Sequence, residues 1–115
     1  MTCNRGDMVL VLFPETNLQT AKRRPALVVQ ADNLGIGLPQ TIVAMITSNL
    51  ARAGHPWRFL VSLATPQGQK TGLQTDSVIM GDNLATVLNT AIYRVIGVWT
   101  NMAAVDACLR HTLGP

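Results

Sequence analysis

Apolar residues recur along this chain in short runs, each closed by glycine, proline, asparagine or a charged residue. The runs predict strands at about 8–13, 26–30, 40–46, 58–62, 77–80, 83–87 and 94–99, and short strands separated by turn signals predict a mainly β barrel. Several runs, Val9-Leu10-Val11-Leu12 among them, are continuously apolar and do not alternate. Such runs fit strands covered on both faces, by core on one and by a helix or a second copy of the chain on the other. After Trp99 the period changes. Met102, Val105, Leu109 and Leu113 recur at steps of three and four, with Asp106 and Arg110 at i,i+4 on another side. Thr100 is a suitable N-cap and Gly114-Pro115 a stop, so one amphipathic helix is expected to close the chain and pack on the barrel. The longest irregular stretches are 15–24, 31–39, 50–57 and 63–72, and binding is usually placed on such loops. Glycines 35, 37, 68 and 72 read as turn-makers within them.

Composition narrows the class. At 115 residues and 48% hydrophobic, the chain can build one core, so 1–115 is read as one domain. Its 13% charged content and positive mean hydropathy argue against a disordered chain. The net charge of +3 suits a polyanionic partner. Its distribution says more: no carboxylate occurs between Asp32 and Asp76, whereas Arg52, His55, Arg58 and Lys70 do. No apolar run reaches the length of a membrane span, and residues 1–5 lack the hydrophobic part of a signal peptide, so a cytoplasmic protein without a membrane partner is expected. Cys3 and Cys108 are expected as free thiols, and His55 and His111 show no metal-ligand spacing. No metal and no cofactor is predicted.

The candidate chemistry begins at Lys22-Arg23-Arg24-Pro25, a cationic loop running into Ala26-Leu27-Val28-Val29. The proline forces Arg24 towards extended backbone and fits the first position of a strand, so the guanidinium should be held at a rigid loop–strand junction. Its planar fork matches a phosphate, and Thr47, in Ile46-Thr47-Ser48-Asn49 at another strand end, can donate to the same anion. The plain alternative is a solvated turn and an ordinary strand cap. The loop Arg52-Ala53-Gly54-His55-Pro56-Trp57-Arg58 mixes cations with aromatic rings, as single-stranded RNA requires; equally, Trp57 can pack back on the barrel and Arg58 can be structural. An Asp-Ser pair before a strand, here Asp76-Ser77, is more often a turn-fixing device than a reacting group.

Taken in order, Gly6-Asp7 before the first strand, Arg24-Pro25 before the second, Thr47-Ser48-Asn49 after the third, Gly72-Leu73-Gln74-Thr75-Asp76-Ser77 before a late one and a terminal helix resemble the MazF/PemK family of toxin–antitoxin toxins. The resemblance covers nearly the whole chain. It implies a small SH3-like barrel with a C-terminal α-helix, a homodimer, and sequence-specific, metal-independent cleavage of single-stranded RNA. Attack by the 2′-hydroxyl would leave 2′,3′-cyclic phosphate and 5′-hydroxyl ends, and a cognate antitoxin would neutralise the toxin. Arg24 and Thr47 match the family's catalytic arginine and threonine. Lys22, Arg23, Ser48, Asn49, Arg52, His55, Trp57, Lys70, Asp76 and Ser77 are expected to contact RNA.

The chain also departs from the family pattern. Asp82 matches an aspartate of some members, but Met80 stands where their arginine would be, and Ala85 replaces an arginine that many relatives carry. No general base is indicated by the sequence. A non-catalytic CcdB-like inhibitor or an SH3-like protein-binding module is the competing reading; the Arg24/Thr47 pair favours the enzyme.

Overall fold

In the computed structural model, which describes residues 3–14, 21–32, 34 and 37–115, the strands are β1 (Asp7–Pro14), β2 (Ala21–Val28), β3 (Gln40–Thr47), β4 (Arg58–Val61), β5 (Ser77–Leu88) and β6 (Ile92–Val98). A short helix, α1 (Pro66–Gln69), joins β4 to β5, a single 3-10 turn joins β5 to β6, and α2 (Met102–Leu113) ends the chain. Residues 15–20 of the expected 15–24 loop, and Gly35, lie outside the described residues.

The strands form one antiparallel sheet in the order β4-β5-β3-β2-β1-β6. Its two edge strands are joined through the segment after α1, which runs beside β6: the Val98 N–H donates to the Lys70 carbonyl at 2.9 Å. The backbones approach so closely that a Cβ on Gly97 would stand 2.3 Å from that carbonyl, and one on Gly72 would stand 2.1 Å from the Ile96 carbonyl. Glycine is needed at both positions because any side chain would push the segment off the sheet. The result is the small barrel-like, mainly β fold that the strand spacing predicts, completed by a loop.

Apolar side chains fill two clusters. Met8, Leu27, Ala44, Ile46, Val61, Ile79, Trp99 and Val105 pack between sheet and α2, while Val9, Val11, Ala26, Val28, Val43, Met45, Val87 and Ile92 form the second. Burial of each Val- to Met-sized side chain contributes about 1.5–3 kcal/mol. Trp99 anchors the helix: its ring lies edge-on to Phe59 at 5.1 Å, and its Nε1–H donates to the Asn101 carbonyl at 3.0 Å. No helix among the described residues is long and apolar enough to cross a membrane.

Three local expectations are corrected. β2 begins at Ala21, so Lys22, Arg23 and Arg24 lie inside a strand, opposite Phe13, Leu12 and Val11, and Pro25 is not its first residue. This stretch of β2 has β1 on one side and no β3 partner on the other, the edge setting in which a missing proline N–H is tolerated. Next, the strands expected at 77–80 and 83–87 are one strand, β5. Gly81-Asp82 reads as a turn but marks a bend, where the pairing with β3 shifts register between Ala44 and Ile46. A Cβ on Gly81 would meet the Trp57 carbonyl at 2.7 Å and Cys108 Cβ at 3.1 Å, so this glycine serves close approach.

The third correction concerns α2. Its N-cap is Asn101, whose side-chain oxygen accepts from the Ala104 N–H at 3.3 Å, and not Thr100. Asp106 bonds Arg5 of the N-terminal segment. Val105 and Cys108 are its buried residues, Met102 and Leu109 are half-buried, and Leu113 is exposed. Both cysteines are free thiols.

Candidate functional site

The site grows out of a fork in the sheet. β2 and β3 are paired through Ala26 with Met45, Leu27 with Ala44, and Val28 with Val43. Beyond Ala26 the earlier part of β2 stays with β1, while the end of β3 stays with β5 through Ile46 with Ile79 and Thr47 with Val78. Continuing the β2–β3 register by two residues sets Arg24 across from Thr47, on the face that carries Ala26 and Met45. The two residues thus stand on opposite arms of the fork.

A cavity of about 860 Å³ occupies this opening. β2 supplies Lys22, Arg23 and Arg24; the end of β3 supplies Thr47 and Ser48; β5 supplies Ser77, Met80, Asn83 and Ala85; β6 supplies Arg94. The segment Gly72, Leu73, Gln74 and Thr75 forms a further wall, held in place by the Gly72 and Gly97 approaches described above. The described lining includes four cations and neither a carboxylate nor a histidine. Among the described residues, none of these cations is in a salt bridge. Such a cavity concentrates positive potential at one concave surface and favours an anion.

Individual side chains are oriented by local bonds. The Arg23 guanidinium stacks 3.7 Å from the ring centroid of Tyr93, a cation–π contact that fixes its direction. Thr47 Oγ1 accepts from the Asn49 N–H at 3.1 Å, which leaves the hydroxyl proton to donate into the cavity. Ser77 is buried and donates to the Thr75 carbonyl at 2.9 Å, bracing the wall. A smaller cavity of about 270 Å³ adjoins at Thr47 and Met80 and is lined also by Asn49, Ala51, Arg52 and Arg58.

Of the residues singled out in the sequence, the structure brings Arg24, Thr47, Lys22, Arg23, Ser48 and Ser77 to the larger cavity, and Asn49 and Arg52 to the smaller. It does not bring the remaining four to either. His55 and Trp57 contact each other edge-to-face at 4.8 Å. The Lys70 backbone supports β6, and the Asp76 carboxylate accepts from the Leu63 N–H at 2.8 Å, which fixes the loop. Sequence reasoning missed Arg94, Gln74, Thr75 and Asn83. Arg94 carried a signal, as a lone charge in the apolar strand Ile92–Val98, opposite Leu10. Among the described residues, no three His, Cys, Asp or Glu side chains gather as a metal-ligand set.

Comparison with known proteins bears on this site. Residues 4–113 match the model of the PemK-like, MazF-like toxin of type II toxin–antitoxin systems. The chain is 35% identical over 105 residues to the endoribonuclease MazF6 of Mycobacterium tuberculosis, across 89% of this chain and 88% of that protein. Its fold is similar to that of M. tuberculosis toxin MazF-mt6, with a TM-score of 0.73 at 20% identity over 94% of this chain and 96% of the other. It is also similar to a mycobacterial endoribonuclease solved in complex with its cognate antitoxin, with a TM-score of 0.72 at 17% identity over 97% and 95% of the two chains.

Proposed function

The chain belongs to the PemK-like, MazF-like toxin family, and from that premise we propose that it is an endoribonuclease toxin that cuts single-stranded RNA in the forked cavity. The observation that carries this reading is the facing of Arg24 and Thr47 across a concave surface lined by cations without a carboxylate. The bent sugar–phosphate backbone of an unpaired strand enters such a fork, and a duplex does not.

In the reaction the 2′-hydroxyl gives its proton to solvent water and attacks the adjacent phosphorus. The new P–O2′ bond forms as the P–O5′ bond breaks, leaving a 2′,3′-cyclic phosphate and a 5′-hydroxyl. The protein has to neutralise the charge that builds on the equatorial oxygens and to protonate the departing 5′-oxygen. In this reading Arg24 serves both needs, as charge stabiliser and as proton donor, while the Thr47 hydroxyl anchors a non-bridging oxygen. Neutralisation by guanidinium and hydroxyl groups is the basis of a metal-independent step. Lys22, Arg23 and Arg94 hold flanking phosphates.

The reading extends to partners. The whole chain acts as one toxin domain in the cytoplasm and as a homodimer, which covers apolar strand faces. A cognate antitoxin silences it, and an acidic segment that folds into the cationic fork competes directly with RNA. The complex of a structurally similar endoribonuclease with its antitoxin supports this part.

The test is incubation of wild-type and Arg24→Ala protein with a long single-stranded RNA in EDTA, followed by mapping of fragment ends. Discrete cuts with 5′-hydroxyl and cyclic phosphate ends are expected from the wild type. Removing one preorganised charge-stabilising group should slow cleavage by roughly 10²–10³-fold, with the melting temperature unchanged. Absence of cutting by folded wild-type protein would instead favour an inhibitor that acts by binding.

A further inference from the structure

Arg58 stands apart from the cations of the larger cavity. It lies at the start of β4, in register with Met80 of β5, and its guanidinium is gripped by Asp82 through two parallel bonds, Nε to Oδ1 at 3.1 Å and Nη2 to Oδ2 at 3.3 Å. The backbone beneath it is fixed as well. Its N–H donates to the His55 carbonyl at 3.0 Å, and its carbonyl accepts from the Cys108 thiol at 3.6 Å. The side chain is 14% exposed. A guanidinium carries five N–H donors, so the bidentate pair leaves the rest of the fork free for another acceptor.

What that acceptor would be follows from the smaller cavity. Arg58 lines it together with Thr47, Asn49 and Arg52. With Asp82 counted against Arg58, Arg52 leaves the surroundings positive. Thr47 and Met80 line both cavities, so a chain whose phosphate sits at Arg24 and Thr47 has its continuation beside Arg58. An arginine already held in plane by a carboxylate meets a phosphate without reorganising, which is the benefit of preorganisation.

We propose that Arg58, held by Asp82, contacts the RNA phosphate next to the scissile one and positions the strand from the Thr47 side. The proposal rests on the endoribonuclease reading of the fork. Arg58 binds substrate, and Asp82 is a positioning residue that acts through it.

The experiment uses a short RNA spanning a mapped cut, in unmodified form for cleavage and with 2′-O-methyl groups throughout for binding. The informative variant is Arg58→Met combined with Asp82→Asn, because it leaves no uncompensated half-buried charge to unfold the protein. A weakening of binding of about 10-fold at 0.15 M salt is expected, with the slope of log affinity against log salt smaller by about 0.7, as one lost single-strand phosphate contact requires. KM should rise by a similar factor, with kcat within about threefold.

A purely structural ion pair would change melting temperature without moving the salt slope or KM. A folded double variant with wild-type slope and KM therefore overturns the proposal while leaving the fork reading intact. Wild-type protein that neither binds nor cuts RNA would remove both. If the double variant does not fold, Arg58→Lys carries the test, since it keeps the charge and loses the fork: a raised KM with an unchanged salt slope supports the proposal, and an unchanged KM overturns it.

Discussion

The arginines near α2 and those around the fork are treated differently by the same fold. Arg5 bonds Asp106 of the helix and donates to the Val29 carbonyl at 3.0 Å, and Arg58 is paired with Asp82. Lys22, Arg23, Arg24 and Arg94 converge on one cavity whose described lining holds no carboxylate. Beside the core, Arg5 and Arg58 are each neutralised by a carboxylate; where the protein opens, like charges accumulate and repel one another. That accumulation does nothing for stability, and its physical use is to attract an anion. Arg58 belongs to the first group by its bond and to the second by its cavity, which is why it carries the proposal above.

The contrast can be broken from either side. The largest effect on folding is expected under the helix: Leu27 is wholly buried, and Leu27→Ala should cost about 2–5 kcal/mol in denaturant unfolding. Its cutting pattern at low temperature should stay that of the wild type. Next comes the fork. Arg94→Ala should reduce kcat/KM by about 10-fold, close to 1.4 kcal/mol, and lower the salt slope of RNA binding by about 0.7, with stability within about 0.5 kcal/mol of wild type. A loss of stability comparable to that of Leu27→Ala would erase the division between the two regions.

The smallest effect sharpens the helix side alone. Burial pushes the Cys108 thiol above its ordinary 9.0, so the folded chain holds this proton more tightly than the unfolded one. Stability from this group is complete below pH 9 and is lost as pH rises through the folded value. Denaturant titrations should therefore show a steeper alkaline decline for wild type than for Cys108→Val, with equal RNA cleavage at neutral pH.

Much of this was legible along the chain. The apolar runs located the strands, the change of period after Trp99 located α2, and Arg24 and Thr47, paired in the sequence reading, line one cavity. The failures share a cause. β5 was expected as two strands because the reason for Gly81 is the approach of Trp57 and Cys108, and Arg94 was not singled out because its cavity is built largely by other strands. Lys70 and His55 line neither cavity: the Lys70 carbonyl accepts from the Val98 N–H, and the His55 ring packs on Trp57, contacts that a local sequence pattern does not reveal.

By itself the sequence determined which residues could pack as strands, where the helix lay, and that no carboxylate lies between Asp32 and Asp76. Those are properties of local pattern, fixed by side-chain period and charge. Only the tertiary structure decided that β2 and β3 part at Ala26, that Arg94 joins Arg24 and Thr47 there, and that Asp82 grips Arg58. These depend on register and on backbone approach between segments far apart in the chain, which hydrogen-bond ladders and close packing settle together, and no single segment encodes them.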